Sequence, residues 1–165
     1  MSPSDAWAVG WTRWRAFPDR VLTEHWDGKA WHPVRNPGGE RAFYSESAAA
    51  TSSSDAWAVN GATIIHWDGT AWTTIATTKD WPSSIAASGP NDAWAVGRQV
   101  NPVDRPVTYH WNGTTWTRAV LPPHDAGLRS VTHVPATTTY WAVGQMGRGG
   151  HGKPYYNRPL IEAYC

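Results

Sequence analysis

One block of residues recurs four times along this chain, and that repetition limits the available folds more than any other feature. The block reads Asp-Ala-Trp-Ala-Val-Gly in its first copy, and its copies occupy residues 5–10, 55–60, 92–97 and 139–144. A second block, His-Trp-Asp-Gly-x-x-Trp with Asn for Asp in its third copy, occupies residues 25–31, 66–72 and 110–116. Such self-similarity indicates a chain built from stacked copies of one structural unit.

The two blocks predict different parts of an antiparallel sheet. Asp-Gly or Asn-Gly between apolar residues favours a β-hairpin, because Gly takes the positive φ that the turn demands. In the first block, residues of period two share a face, so Trp7 and Val9 are expected opposite Ala6 and Ala8. Small alanines let a neighbouring sheet approach, and tryptophans fill the gap to the next one.

A stretch of small residues, such as 83–88, precedes the first block and completes a unit of four strands. An inner small-residue strand is followed by the Ala-Trp-Ala-Val strand, a strand ending at His-Trp, and a strand starting at the Trp after Gly. Four short strands in roughly 40 to 50 residues are typical of a β-propeller blade. The fold class predicted is therefore all-β, with about three and a half four-stranded antiparallel blades. These are a partial blade 1–37, blades 38–79 and 80–122, and a partial blade 123–165.

The alternation of the two blocks resembles the tryptophan-rich bacterial β-propeller repeats, Kelch-like and lectin-like arrays in which WAVG and HWDG blocks alternate. The resemblance covers almost the whole chain. It implies discs of roughly six to eight blades, often extracellular, of which some bind sugars. The chain departs from the pattern in having fewer blades, and in reading Ala163-Tyr164-Cys165 where His-Trp-Asp is expected.

The blade count leaves two tryptophan-lined faces to be covered, since an open array exposes its first and last blades. Three arrangements are consistent with this blade count: a small four-bladed ring, a disc completed by a second copy of the chain, and a fragment of a longer protein. A homo-oligomer that completes the propeller is accordingly one of the expected partners.

Composition excludes several function classes. Net charge is +1 and the basic residues are scattered, so a nucleic-acid partner is not expected. No run approaches the roughly 20 apolar residues of a membrane span, and no signal peptide is recognisable. Phosphate-loop, dinucleotide and zinc motifs are missing from the sequence, so no cofactor is predicted. Cys165 is the single cysteine, which rules out an intrachain disulfide.

The repeated histidines His25, His66 and His110 suggest a ring of metal ligands, which would require them to converge on one point. Because a residue that occurs once per blade lies far from its copies, we interpret each imidazole as structural instead. In this interpretation it bonds a neighbouring blade, and no metal site is predicted.

Ligand contacts are expected from aromatic residues outside the repeat, because the repeated tryptophans fit the packing between blades better. The loops Gly10–Arg20, Gly97–Arg105 and Gly144–Asn157 differ in length and should emerge on one rim, where binding residues gather. The aromatic candidates are Trp11, Trp14, Trp81, Tyr109, Tyr155 and Tyr156. The residues predicted to bind ligand are Trp11, Trp14, Trp81 and Tyr109 as stacking faces and Arg98 as a hydroxyl donor.

Three functions follow from these features. The first is a lectin-like carbohydrate-binding module, with a glycan as its ligand. The second is a protein-interaction scaffold, or a fragment of a larger extracellular propeller protein. The third is a propeller glycosidase, which needs two converging carboxylates. Its candidates are Asp19, Glu46, Asp80, Asp104 and Asp125, and because nothing in the sequence brings two of them together, no enzyme is predicted.

Overall fold

The structure is a computed structural model that describes residues 4–14, 17–37, 46–99, 104–122, 126–148 and 156–164. Every regular element in these segments is a β-strand. No helix that could cross a membrane is found among them. The prediction of an all-β chain with antiparallel sheets is therefore confirmed.

In the described segments fourteen strands form four separate sheets, and within each sheet the strands pair antiparallel in chain order. Sheet 1 contains β1 (Ala6–Trp14), β2 (Phe17–Trp26) and β3 (Trp31–Pro33). Sheet 2 contains β4 (Glu46–Ser52), β5 (Asp55–Asn60), β6 (Thr63–Trp67) and β7 (Trp72–Thr77). Sheet 3 contains β8 (Trp81–Gly89), β9 (Asp92–Gln99), β10 (Arg105–Trp111) and β11 (Trp116–Val120). Sheet 4 contains β12 (Ala126–His133), β13 (Tyr140–Arg148) and β14 (Tyr156–Tyr164).

The described parts of two stretches predicted as loops, Gly10–Arg20 and Gly144–Asn157, are strand, which corrects the sequence analysis. In sheet 1 the ladder continues through the pair Trp11 and Val21, and in sheet 4 through the pair Gln145 and Pro159. Continued pairing satisfies the backbone N–H and C=O groups that an open loop would leave to water. The pairings of β1 with β2 and of β13 with β14 are consequently longer than the pairing of β5 with β6, which join by a short turn.

The Asp-Gly and Asn-Gly turns have the geometry that the sequence predicts. Gly28, Gly69 and Gly113 have φ of 93°, 95° and 91°. In sheet 2 a Cβ added to Gly69 would lie 2.9 Å from the Cβ of Ser54, so the turn also packs closely on its neighbour. Any larger residue at Gly69 would therefore meet both backbone strain and a steric clash.

A histidine–aspartate contact recurs in sheets 1, 2 and 3. The distance from His Nε2 to Asp Oδ1 is 2.8 Å for His25 and Asp5, 2.7 Å for His66 and Asp55, and 2.9 Å for His110 and Asp92. Each pair lies within one sheet, so the interpretation that the imidazole bonds a neighbouring blade is wrong. The reason is the register, which places each histidine opposite the tryptophan two residues after that aspartate.

The same histidine packs against that tryptophan, which we call the strand tryptophan of its sheet. The strand tryptophans are Trp7, Trp57, Trp94 and Trp141. Ring centroids are 4.0 Å apart for Trp57 and His66 and 4.3 Å apart for Trp94 and His110. The imidazole, held by the aspartate, thus supports one face of the indole.

In sheets 1, 2 and 3 two tryptophans flank the Asp-Gly or Asn-Gly turn, and we call them the turn pair of that sheet. Sheets 2 and 3 each receive the strand tryptophan of the preceding sheet at this pair. Trp7 of sheet 1 contacts the turn pair of sheet 2, Trp67 and Trp72, at centroid distances of 4.9 and 5.0 Å. The interplanar angles are 55° and 85°. Tilted and edge-to-face contacts of this kind are the favourable arrangements of aromatic rings.

The arrangement repeats between sheets 2 and 3. Trp57 contacts Trp111 and Trp116 at 5.8 and 5.7 Å, with interplanar angles of 54° and 82°. Between sheets 3 and 4, Trp94 stacks on Tyr164 with centroids 4.6 Å apart, because Tyr164 stands where the other sheets carry the first tryptophan of the pair. The interplanar angles between sheets 1 and 2 thus recur between sheets 2 and 3 at longer centroid distances, whereas Trp94 and Tyr164 are stacked with an interplanar angle of 23°. At all three interfaces the strand tryptophan of the earlier sheet lies against the later sheet.

Apolar clusters fill the space between consecutive sheets. The alanine face of sheet 2, with Ala56 and Ala58 fully buried, packs against Trp7 and Val9 of sheet 1. The opposite face of sheet 2 packs against Ala93 and its neighbours in sheet 3, and sheet 3 packs in the same way on sheet 4. The predicted division into an alanine face and a tryptophan face is confirmed.

The first strands of sheets 2, 3 and 4 lie side by side, joined by serine hydroxyls. Ser47 Oγ accepts the N–H of Ile85 at 3.2 Å, and Ser84 Oγ accepts the N–H of Val131 at 3.2 Å. Ser47, Ser84 and Ser130 share one register position in β4, β8 and β12. At this position Ser47 and Ser84 therefore each bond the backbone of the next sheet, whereas Ser130 is exposed.

The carboxylate of Asp55 makes stability depend on pH. Burial acts to raise its pKa, but hydrogen bonds from His66 and then Thr51 outweigh burial and hold the pKa below 3.8. A carboxylate with a lowered folded pKa stabilises the fold above the unfolded pKa, and that contribution is lost as pH falls through the folded pKa. We expect Asp55→Asn to lower the free energy of unfolding at pH 7 and to converge with the wild type below pH 3.8.

Urea unfolding from neutral pH to strongly acidic pH measures this convergence. Thr117→Ala, at an exposed position without an ionisable group, is the control and should run parallel to the wild type. A constant difference between Asp55→Asn and the wild type across the whole range would contradict the role given to Asp55.

The serine link between first strands predicts a position-dependent effect of removing one hydroxyl. Ser84→Ala leaves the buried N–H of Val131 without its acceptor and should lower the free energy of unfolding by about 1–3 kcal/mol. Ser130→Ala, at the matching but exposed position of β12, should change it by less than about 0.5 kcal/mol. Denaturant unfolding of both variants compares them, and equal losses would refute the link.

Candidate functional site

Sheets 1, 2 and 3 each have two ends that differ in their turns. At one end lie the Asp-Gly or Asn-Gly turns, which have the same length in sheets 1, 2 and 3. At the other end, which we call the loop end, the second strand joins the third and one sheet continues to the next. The connections here differ between sheets, from the short turn after Asn60 to the residues between Gln99 and Arg105. Variation at the loop end makes it the place to look for a specific site.

Trp81 and Arg98 form a pair at the loop end of sheet 3. They lie directly opposite each other in the β8–β9 ladder, so their side chains share one face of the sheet. Trp81 is 39% exposed. Arg98 Nη1 donates to Asp104 Oδ2 at 3.2 Å, and both side chains are about two-fifths exposed. An indole, a guanidinium and a carboxylate are thus presented together to solvent.

Next to the pair Trp81 and Arg98, the two strands β8 and β9 approach each other so closely that β9 needs a glycine. Pro82, which follows Trp81, is fully buried and pairs with Gly97, and a bulge lies between Pro82 and Ser84. A Cβ on Gly97 would lie 2.1 Å from the carbonyl oxygen of Trp81. The Gly that ends the Asp-Ala-Trp-Ala-Val-Gly block therefore permits the close approach of β8 to β9, and this approach fixes the position of Trp81.

A buried ionic cluster stands on the opposite face of the same sheet. Arg118 donates to the Asp80 carboxylate through Nε at 2.5 Å and Nη2 at 3.1 Å, and its Nη2 also donates to Gln99 Oε1 at 2.8 Å. The hydroxyl of Tyr109 donates to Asp80 Oδ2 at 2.5 Å. This bidentate pair with two further partners holds the residue before Trp81 in place.

The cluster shifts the pKa of two of its members in opposite directions. Burial, followed by the hydrogen bond to Asp80, raises the pKa of Tyr109 to about 12. Burial acts to raise the pKa of Asp80 as well, but the hydrogen bonds from Arg118 and Tyr109 outweigh it and lower that pKa. At neutral pH the cluster therefore contains a phenol, a carboxylate and a guanidinium, with no group ready to exchange a proton.

The structure distributes the predicted binding residues over different surroundings. It brings Trp81 and Arg98 together, but Tyr109 is only 5% exposed and offers no ring face to a ligand, contrary to the expectation of a surface residue. Trp11 is exposed in β1, at the register position of sheet 1 that matches Arg98 in sheet 3. The side chains of Trp14 and Tyr156 and the whole of Tyr155 lie outside the described residues.

Sequence reasoning missed Arg118 and Gln99, although a signal was available. Position 118 corresponds in register to Thr74 of sheet 2, so an arginine there departs from the repeat. A charged residue that replaces a neutral one in a single copy of a repeat marks a feature particular to that copy. Its partner could not be read from the sequence, since Asp80 is 38 residues away.

Of the five carboxylates considered for glycoside hydrolysis, the structure describes the side chains of Asp80 and Asp104. Asp80 is held by Arg118, and Asp104 is held by Arg98. Asp125 and the side chains of Asp19 and Glu46 lie outside the described part. No group of three or more metal-ligating side chains occurs in the part of the chain that the structure describes.

The buried and the exposed ion pair of sheet 3 should respond differently to mutation. Asp80→Ala leaves the partly buried Arg118 without its carboxylate and should lower the free energy of unfolding by about 3 kcal/mol. Asp104→Ala breaks an exposed pair and should lower it by less than about 1 kcal/mol. Chemical denaturation measures both, and a loss at Asp104 as large as that at Asp80 would contradict the assignment.

The comparison with known proteins adds no family to this description. The sequence matches no protein-family model and no curated protein.

Proposed function

We propose that the chain is a lectin-like carbohydrate-binding module whose sheets are the blades of a β-propeller. The proposal for the architecture is supported by four consecutive antiparallel meanders that stack face to face, with the strand tryptophan of each of the first three sheets lying against the next sheet. It is supported further by the side-by-side arrangement of the first strands, which is the place of the inner strands in a propeller.

The binding role is carried by the presentation of Trp81 beside Arg98. An exposed indole is a flat apolar face suited to the C–H face of a pyranose ring, and its neighbours supply a donor and an acceptor for sugar hydroxyls. Ligand sites of proteins combine an apolar surface with a few fixed polar groups in the same way. In this proposal Arg98 and Asp104 hydrogen-bond hydroxyls while Trp81 stacks.

The buried cluster beneath supports the site without touching the ligand. Asp80 directly precedes Trp81, and its carboxylate is fixed by Arg118 and Tyr109. A binding residue held in one position loses less conformational entropy when the ligand arrives. Tyr109, predicted from the sequence as a stacking residue, thus becomes a supporting residue in the proposal.

A panel of polysaccharides in affinity electrophoresis, followed by titration calorimetry on any hit, tests the proposal. We expect saturable binding that Trp81→Ala abolishes and that Arg98→Ala weakens by at least about tenfold, since a charge-assisted hydrogen bond contributes about 1.5–3 kcal/mol. Ile75→Ala, which truncates an exposed apolar side chain of β7, is the matched control and should bind normally.

Either of two results would overturn the sugar site. One is no saturable binding to any polysaccharide of the panel. The other is a saturable hit that Trp81→Ala leaves unchanged, which would place the ligand elsewhere on the chain.

A protein-interaction scaffold is the second candidate, favoured by a different observation. The outer face of sheet 4 exposes three large apolar side chains, Trp141, Val143 and Ile161. Exposed apolar groups that lie together are typical of protein interaction surfaces.

A further inference from the structure

The outer face of sheet 4 carries the residue pattern that is buried elsewhere in the stack. Trp141, Val143 and Ile161 occupy the register positions of Trp57, Val59 and Ile64 in sheet 2. Those three residues of sheet 2 are almost completely buried against sheet 3, with Trp57 only 1% exposed. Trp141 is 46% exposed. Sheet 4 thus presents a strand tryptophan with the same apolar neighbours but with its outer side open to solvent.

Sheet 1 carries the complementary half of the contact. Its turn pair, Trp26 and Trp31, has centroids 5.7 Å apart and an interplanar angle of 47°. In sheet 2 the occupied pair Trp67 and Trp72 has 6.0 Å and the same 47°. Trp31 is 45% exposed, whereas Trp72 is 4% exposed. Trp26 and Trp31 of sheet 1 therefore already have nearly the same arrangement as the turn pair of sheet 2, which holds Trp7.

The alanine positions on this face of sheet 1 agree with such a role. Ala6 and Ala8 match Ala56 and Ala58, which let sheet 2 approach the apolar side chains of sheet 1. Both are partly exposed in sheet 1. A partner sheet bearing a tryptophan, a valine and an isoleucine in the spacing of Trp141, Val143 and Ile161 would meet no bulky side chain at these two positions.

We propose that these two faces bind each other between copies of the chain, with Trp141 of one copy lying against the turn pair Trp26 and Trp31 of the next. The occupant is a second copy because both halves of the contact are on this chain and the chain already makes the same contact internally. The contact continues the stacking of sheets 1 to 4 across the boundary between two molecules. It involves neither Trp81 nor Arg98, so it stands or falls independently of the sugar site.

A contact between two different faces makes a specific prediction about mixtures. Trp141→Asp removes the inserted side chain and Trp31→Asp removes one side of the receiving pair, so each variant should lose self-association. Trp31→Asp keeps Trp141, and Trp141→Asp keeps the receiving pair. An equimolar mixture of the two variants should therefore form a one-to-one dimer and nothing larger.

Sedimentation velocity of the full chain over a wide range of concentration, with reductant present to remove any Cys165 disulfide, measures this. The wild type should associate, and each variant should raise the dissociation constant at least about thirtyfold, as expected for a central aromatic contact. Trp11→Asp replaces an equally exposed tryptophan outside both faces and should associate like the wild type. Circular dichroism of each variant checks that the strands are intact.

Several results would overturn the proposal. A wild type that stays monomeric at every concentration shows that the faces do not bind each other between copies. Association that survives Trp31→Asp but not Trp141→Asp shows that two sheet 4 faces pair with each other instead. A mixture of the two variants that stays monomeric shows that the retained halves do not recognise one another.

Discussion

The insertion of a strand tryptophan between two aromatic residues of the following sheet is the contact on which the rest of this structure depends. A tryptophan buries about 150–250 Å² and gains further from tilted and edge-to-face neighbours. Trp7 and Trp57 meet their partners at nearly the same angles, so successive sheets are placed in nearly the same way. Alanines opposite the inserted ring keep the sheets close enough for that contact, and the first strands then come within reach of the serine hydroxyls.

The polar groups of the repeat serve this contact rather than a separate chemistry. In sheet 2 the Asp55 carboxylate holds His66, and His66 lies against Trp57. A motif of histidine and aspartate in three copies suggests metal binding when read as a sequence. In the folded chain each pair stays within its own sheet, where it orients one indole. Repetition of a polar pair at a fixed strand position therefore indicates a structural role.

The sequence predicts what is local and what is repeated. Strand order, the positive φ of the turn glycines and the two faces of the Ala-Trp-Ala-Val strand follow from period-two patterning and turn chemistry, and the structure confirms them. The partner of His66, the burial of Tyr109 and the pairing of Arg118 with Asp80 depend on register between strands or on contacts across 38 residues. No local pattern encodes those distances. The pair Trp81 and Arg98 was predicted as two binding residues, but their adjacency comes from the ladder.

The inserted ring always belongs to the earlier sheet and the receiving pair to the later one, so the stack has a direction along the chain. A directional contact joins two different surfaces. When it is repeated, each sheet is rotated by the same angle relative to the preceding sheet. Such a series closes into a ring if the rotation divides a full turn, and otherwise it winds into an open helix. The angle between two indoles and their neighbours thus bears on whether an array of these sheets is finite or endless.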